Sequence, residues 1–189
     1  MDRHLDSLND SDYFHIFPTL IGMYDLRNFH PAEEQKILSM SQKDVIDLET
    51  ETDFLESNRL YLLKNNINEC LKAYSAEYGA DYYEIKHSWY ERHSSNVSER
   101  TFSNEDVFIG YYFPDASYGT IGLYVDSPFK NPLHVPTDKS VSIYTAPNEK
   151  FNVDNGKLLI IPAYLNRYIT VKEGSTLNMI VFNVKKSTI

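Results

Sequence analysis

Several things are scarce in this sequence, and each scarcity removes a class of protein. Cys70 is the sole cysteine, which excludes an intrachain disulfide framework and any cysteine-rich zinc or iron–sulfur site. With no His or Cys beside it, Cys70 is read as a core residue. Basic charge is short: Lys plus Arg total 18 against 27 for Asp plus Glu, giving a net charge of −9 and a pI near 5.1. A nucleic-acid binder or an anionic-membrane binder needs a basic footprint that this balance does not supply. No run approaches the roughly 20 apolar residues of a membrane span, and the N-terminal MDRHLDSLNDSD has no apolar core of the signal-peptide kind. The expectation is therefore a cytoplasmic or virion protein not secreted through a signal peptide, with neither nucleic acid nor membrane as partner. Catalytic signatures are missing too: there is no GxSxG elbow, no Walker or Rossmann glycine pattern, no HExxH and no CxxC. Paired acids such as Glu49/Glu51 and Glu105/Asp106 are read as solvated surface, where most Asp and Glu reside.

Tyrosine, by contrast, is abundant: 15 Tyr and 10 Phe stand against one Trp and seven Gly. Tyr joins a large apolar face to one hydroxyl, which suits half-buried strands and protein interfaces alike. Along the chain, residues 1–13 read as an acidic, flexible arm, and residues 14–189 as one domain. Phe14–Tyr24 is apolar and β-branched, an opening edge strand in which Pro18 and Gly22 mark an edge or a bend. Pro31-Ala-Glu-Glu opens a helix of about 31–42. A second helix is expected over about 57–78, where Leu60, Leu63, Ile67, Cys70 or Leu71, Tyr74 and Tyr78 recur every three or four residues, with Gly79 as its stop. Between about 82 and 184 the pattern changes to short β-type runs: Tyr82–Trp89, Val107–Phe113, Thr120–Val125, Val141–Thr145, Lys157–Ile161, Arg167–Val171 and Thr176–Val184. Asp154-Asn155-Gly156 and Glu173-Gly174-Ser175 read as hairpin turns. The sum is a mainly β fold, a sandwich or jelly roll, with two N-terminal helices buttressing one sheet.

Four segments follow one another in a suggestive order: IFPTLIGMYDL at 16–26, a strand ending in HSWYERH at 87–93, VFIGYYF at 107–113, and GKLLIIPAYLNRYITV with TLNMIVFN within 156–183. In this order they resemble the 2-oxoglutarate/Fe(II)-dependent oxygenase-like proteins of phages and marine bacteria. The resemblance implies a double-stranded β-helix, a jelly roll, in which two His and one carboxylate hold Fe(II) and a basic residue at the start of the last strand grips the cosubstrate carboxylate. At the matching places this chain carries Thr101 and Ser103 within RTFSNED, Arg167 after IPAYL, and Leu177 at the start of the last strand. Between Ser94 and Ile189 the only histidine is His134, so two histidine ligands cannot come from that stretch in any register. The one literal H-x-D, His4-Leu5-Asp6, falls in the arm. His87 and His93 flank Trp89 and are read as structural hydrogen-bonders.

What the resemblance implies, taken with these departures, is a catalytically degenerate oxygenase-like protein with no catalytic residue, no metal and no cofactor. Such a protein acts as a structural or protein–protein interaction module, with other protein subunits as partners and a phage virion (neck, tail or capsid accessory) as its home. Trp89, Tyr111, Tyr112, Tyr164 and Tyr168 are the candidate contact residues. The alternative is an active dioxygenase using Fe(II) and 2-oxoglutarate on an atypical ligand set: His134 or His93 with Glu105 or Asp106, and Lys172 or Arg167 for the cosubstrate. A third reading, a carbohydrate-binding jelly roll, takes Trp89 and the tyrosines as stacking platforms.

Overall fold

Two antiparallel sheets face each other, and helices cover the outer side of the larger one. A computed structural model describes residues 12–16, 19–27, 31–41, 53–77, 83–98, 106–116, 121–126 and 148–187. The elements, in chain order, are β1 (Asp12–Ile16), β2 (Thr19–Asp25), α1 (Pro31–Ser41), α2 (Phe54–Ser57), α3 (Tyr61–Glu77), β3 (Tyr83–His93), β4 (Val97–Ser98), β5 (Phe108–Asp115), β6 (Ile121–Asp126), β7 (Asn148–Asn152), β8 (Lys157–Pro162), β9 (Arg167–Val171) and β10 (Leu177–Lys186). The large sheet has the order β1-β2-β8-β5-β10-β3 and the small one β4-β9-β6-β7. The mainly β fold read from the sequence is thus present, with its helices on one sheet.

Side-chain alternation builds the layers. In β5, Phe108 and Tyr112 face the helices, while Ile109, Tyr111 and Phe113 face the small sheet. In β10, Ile180, Phe182 and Val184 face the helices, and Leu177, Met179 and Val181 the small sheet. Both faces of these central strands are covered, so they read as continuous apolar runs rather than as alternating ones. The small sheet closes the inner layer with Ile121, Leu123, Val125, Phe151, Ile169 and Val171. In the helix layer, hydroxyls tie elements together: Tyr74 Oη donates to the Leu20 carbonyl at 2.7 Å, and Tyr90 Oη to Asn178 Oδ1 at 2.8 Å.

The differences from the sequence reading have physical causes. Phe14–Tyr24 is two strands, because the chain reverses between Ile16 and Thr19, which pair directly. Of these two strands only β1 lies at the sheet edge, and Asp12 and Tyr13, assigned to the arm, belong to it. Neither turn signal closes a hairpin. Residues 154–156 lead from β7 in the small sheet to β8 in the large one, and residues 173–175 from β9 to β10, so both are corners between sheets. Gly156 and Gly174 supply the positive φ those corners need, +73° and +77°. Residues 1–11, Gly79 and the expected strand Val141–Thr145 lie outside the described residues. The sequence reading missed β4, which is very short, and β7 (NEKFN), which is mostly polar.

The expected helix over 57–78 begins at Tyr61, because α2 ends first. Leu60 N–H donates to the Leu55 carbonyl and Arg59 N–H to that of Glu56, both at 2.9 Å, with Arg59 at φ +53°. This is a Schellman cap with an arginine in the left-handed position that glycine normally fills. Arg59→Gly is expected to raise unfolding free energy by about 0.5–1 kcal/mol, since the left-handed penalty of a Cβ outweighs the added chain entropy. Urea unfolding checks this, and a loss of stability would show that the arginine side chain outweighs its backbone strain. Glu33 of α1 then caps α3, accepting from Leu62 N–H at 3.0 Å and Leu63 N–H at 2.8 Å. The stripe Leu63, Ile67, Cys70, Leu71 and Tyr74 is buried as its spacing requires, and burial pushes the Cys70 thiol up to about 12, a core residue without thiolate chemistry.

Candidate functional site

The space between the sheets is where a jelly roll holds a ligand, and among the described residues one charged side chain, Arg167, enters it. Arg167 opens β9 and is 5% exposed. Its Nε donates to Tyr111 Oη across the layer, and its Nη1 donates to the Leu165 carbonyl at 2.8 Å. The guanidinium carbon stands 5.6 Å from the Tyr111 ring centroid, close enough for a cation–π contribution. Around it Leu165, Ile169, Val181 and Leu159 are all buried and apolar.

Two of the residues that the resemblance places at the iron and cosubstrate positions, Arg167 and Leu177, do not fit those groups. A guanidinium has five donors and no lone pair to give a metal, so Arg167 cannot ligate one. Leu177, fully buried in the same apolar layer, cannot form an ion pair with a carboxylate. Thr101, Ser103, Glu105 and His134 lie outside the described residues. Among the described residues no group of three His, Cys, Asp or Glu is placed to hold a metal ion.

The structure also separates parts of the atypical ligand set. His93 stands opposite Leu177 at one end of β10. Asp106 lies at the other end, where its neighbour Val107 donates to the Val184 carbonyl at 2.8 Å. The seven residue steps along the strand from Leu177 to Val184 span about 23 Å, so His93 and Asp106 cannot share an ion. Asp106 instead accepts from Asn183 Nδ2 at 3.1 Å, and Asn183 Oδ1 accepts from His87 N–H at 2.9 Å, which braces the irregularity where β10 meets β3. Lys172 is exposed just past the end of β9.

His93 has a different partner. Its Nε2 lies 2.7 Å from Glu91 Oε2, and Trp89 Nε1 donates to Glu91 Oε1. The sequence reading missed Glu91, although the spacing W-x-E-x-H on a strand puts all three residues on one face. Of the candidate contact residues, Tyr111 and Tyr112 are fully buried and belong to the core, not to a surface. They are adjacent on a strand covered on both faces, so one packs into each layer. Burial, together with the nearby Glu34 carboxylate, pushes the Tyr112 phenol well above its ordinary range. Trp89 is half-buried against the inner layer. Tyr164 is 68% exposed, with its hydroxyl 3.3 Å from Thr19 Oγ1. Tyr168 lies on the outer face of the small sheet, stacked on Tyr124 with centroids 4.6 Å apart and planes within 5°, and Lys150 Nζ sits 5.7 Å from the Tyr124 ring centroid. The two rings use a face on each other, which leaves a poor platform for a sugar ring.

No helix among the described residues is long and apolar enough to cross a membrane. No family model and no curated protein matches the sequence. Solved structures do match. AviO1 from Streptomyces viridochromogenes Tue57 is similar with a TM-score of 0.55 at 13% identity, over 88% of this chain and 90% of that one. SnoN, a non-heme alpha-ketoglutarate-dependent epimerase from nogalamycin biosynthesis, is similar with a TM-score of 0.57 at 10% identity, over 88% of this chain and 77% of that one. The SnoN complex with Fe3+, alpha ketoglutarate and nogalamycin RO gives a TM-score of 0.55 at 8% identity, over 88% and 79%. At such identities the likeness is one of fold: this chain has the jelly-roll fold found in 2-oxoglutarate/Fe(II) oxygenases.

Proposed function

We propose that this protein keeps the oxygenase jelly roll as a scaffold for protein–protein contact and has given up iron and cosubstrate. The observation that carries the reading is Arg167, a buried cation without a lone pair at the place where the resemblance calls for a metal ligand. Fold and function separate readily in this way, because chemistry belongs to a site and not to the fold that carries it. Its partners are other protein subunits, and the motif order shared with phage-type proteins favours a virion component, in the neck, tail or capsid accessory layer. Tyr164, which is exposed, and the partly buried Tyr124/Tyr168 pair are the contact residues of choice, since aromatic side chains that reach the surface anchor interfaces at low entropic cost.

Two measurements test this. Light scattering on the purified protein is expected to show self-assembly, or co-assembly with a neighbouring gene product, weakened at least tenfold by Tyr164→Ala combined with Tyr168→Ala. Anaerobic Fe(II) titration in the presence of 2-oxoglutarate is expected to give no metal-to-cosubstrate charge-transfer band. A saturable band with succinate formation would restore the dioxygenase, and a protein that stays monomeric and partner-free would remove the scaffold.

A further inference from the structure

We infer that the Arg167 guanidinium acts as the interior cation of this jelly roll in place of a metal ion, tying the small sheet to the large one and closing that space to divalent ions. This goes beyond the scaffold reading, which concerns what the outside of the fold touches. Arg167 belongs to β9 of the small sheet and Tyr111 to β5 of the large one, so the bond from Nε to Tyr111 Oη crosses between the two layers. The Nη1 bond to the Leu165 carbonyl, at 2.8 Å, fixes the same side chain to the corner between β8 and β9. Three elements from two sheets therefore meet on one planar fork.

The charge is well placed for such a role. Carbonyl dipoles, a phenol oxygen and the negative face of the Tyr111 ring all present electron density to it. In this apolar layer a second cation beside the guanidinium meets strong, poorly screened repulsion. A metal ion dissociates and exchanges, whereas this cation is part of the chain. The stability of the fold is then independent of metal, and depends on the shape of the fork as well as on its charge.

Melting temperatures of the wild type, Arg167→Lys and Tyr111→Phe, each with EDTA or with millimolar Mn(II), test the inference. The wild type is expected to melt at the same temperature in both solutions. Arg167→Lys keeps the charge but loses the planar fork, and is expected to melt about 5 °C lower or more. Tyr111→Phe deletes a single oxygen and is expected to melt about 2–4 °C lower; it carries the test if Arg167→Lys does not fold. Melting points of both variants within a degree of wild type, or a saturable Mn(II)-dependent rise in the wild type, would overturn the inference. The first result leaves assembly untouched and sinks only the clamp, whereas a charge-transfer band in the wild type takes the scaffold reading with it.

Discussion

Gly110→Ala is expected to destabilise the protein by about 3 kcal/mol or more, the upper range for overpacking a closed core, and to lower its melting point by about 6–12 °C for a chain of this length. Gly110 sits in the middle of β5, directly opposite Phe182 of β10 on one side and Ile160 of β8 on the other. The Phe182 ring lies against the glycine, and a Cβ added there comes 1.9 Å from the ring's Cζ, far inside van der Waals contact. Phe182 is fully buried among Phe108, Tyr112 and Ile180 beneath the helices, so the ring has nowhere to retreat. A glycine normally weakens a strand, but here the aromatic ring fills the space that its missing side chain leaves. Phe182→Leu, destabilising by itself, is expected to recover part of the loss in the Gly110→Ala background, the coupling of residues in direct contact. Gly174→Ala serves as the contrast, because nothing lies within 4 Å of an added Cβ there and only its φ of +77° resists the change; about 1 kcal/mol is expected. A Gly110→Ala protein melting within 2 °C of wild type would mean that Phe182 can be repacked at little cost.

The case of Gly110 shows where sequence reading stops. The spacing of Leu63, Ile67, Leu71 and Tyr74 declared α3, because helical periodicity is a local property. Turn chemistry at residues 154–156 and 173–175 was equally local, and both places do turn. Which strands those turns join was not legible, since the sheet a strand enters is decided by partners far away in the chain. For the same reason Tyr111 and Tyr112 read as candidate contact residues: a strand buried on both faces has no polar alternation to mark it as interior. Much of the tyrosine excess is spent inside, with Tyr24, Tyr74, Tyr111 and Tyr112 all but fully buried. At the candidate site, position 167 was found from a motif, but its use of Tyr111, 56 residues earlier, required the fold. Glu91 was the reverse case, visible in W-x-E-x-H spacing and passed over.

Asp25→Asn is expected to remove about 2 kcal/mol of stability at neutral pH and almost none at pH 2. Burial alone would disfavour the Asp25 charge, with its side chain only 10% exposed. Hydrogen bonds from Arg27 and Lys157 outweigh that cost and hold the carboxyl at about 2, against an ordinary 3.8. Arg27 Nε lies 2.8 Å from Asp25 Oδ2 and its backbone N–H donates to Oδ1 at 3.0 Å, while Lys157, the cross-strand neighbour on β8, donates to Oδ2 at 3.1 Å. Because the folded value lies below the unfolded one, the unfolded chain binds the proton first as pH falls. The stabilisation is therefore complete above about pH 4 and disappears as the folded carboxylate is itself protonated near pH 2, a gap worth about 2 kcal/mol. The cluster also anchors a corner: Gly156 N–H donates to the Phe113 carbonyl at 2.8 Å, and Leu26 N–H to that of Gly156 at 2.9 Å, so β2, β5 and the start of β8 meet beside Arg27. Asp53, also held below its ordinary value, although burial raises it, by bonds from Ser88 and Lys64, titrates in the same direction in both proteins. The difference between wild type and Asp25→Asn isolates Asp25 from it. Urea unfolding of the two proteins at intervals from pH 6 to pH 2 measures that difference directly. A gap that shrinks through the acid limb locates the linkage at Asp25; a gap that stays constant with pH would mean that the carboxylate acts there through packing and geometry and not through its charge.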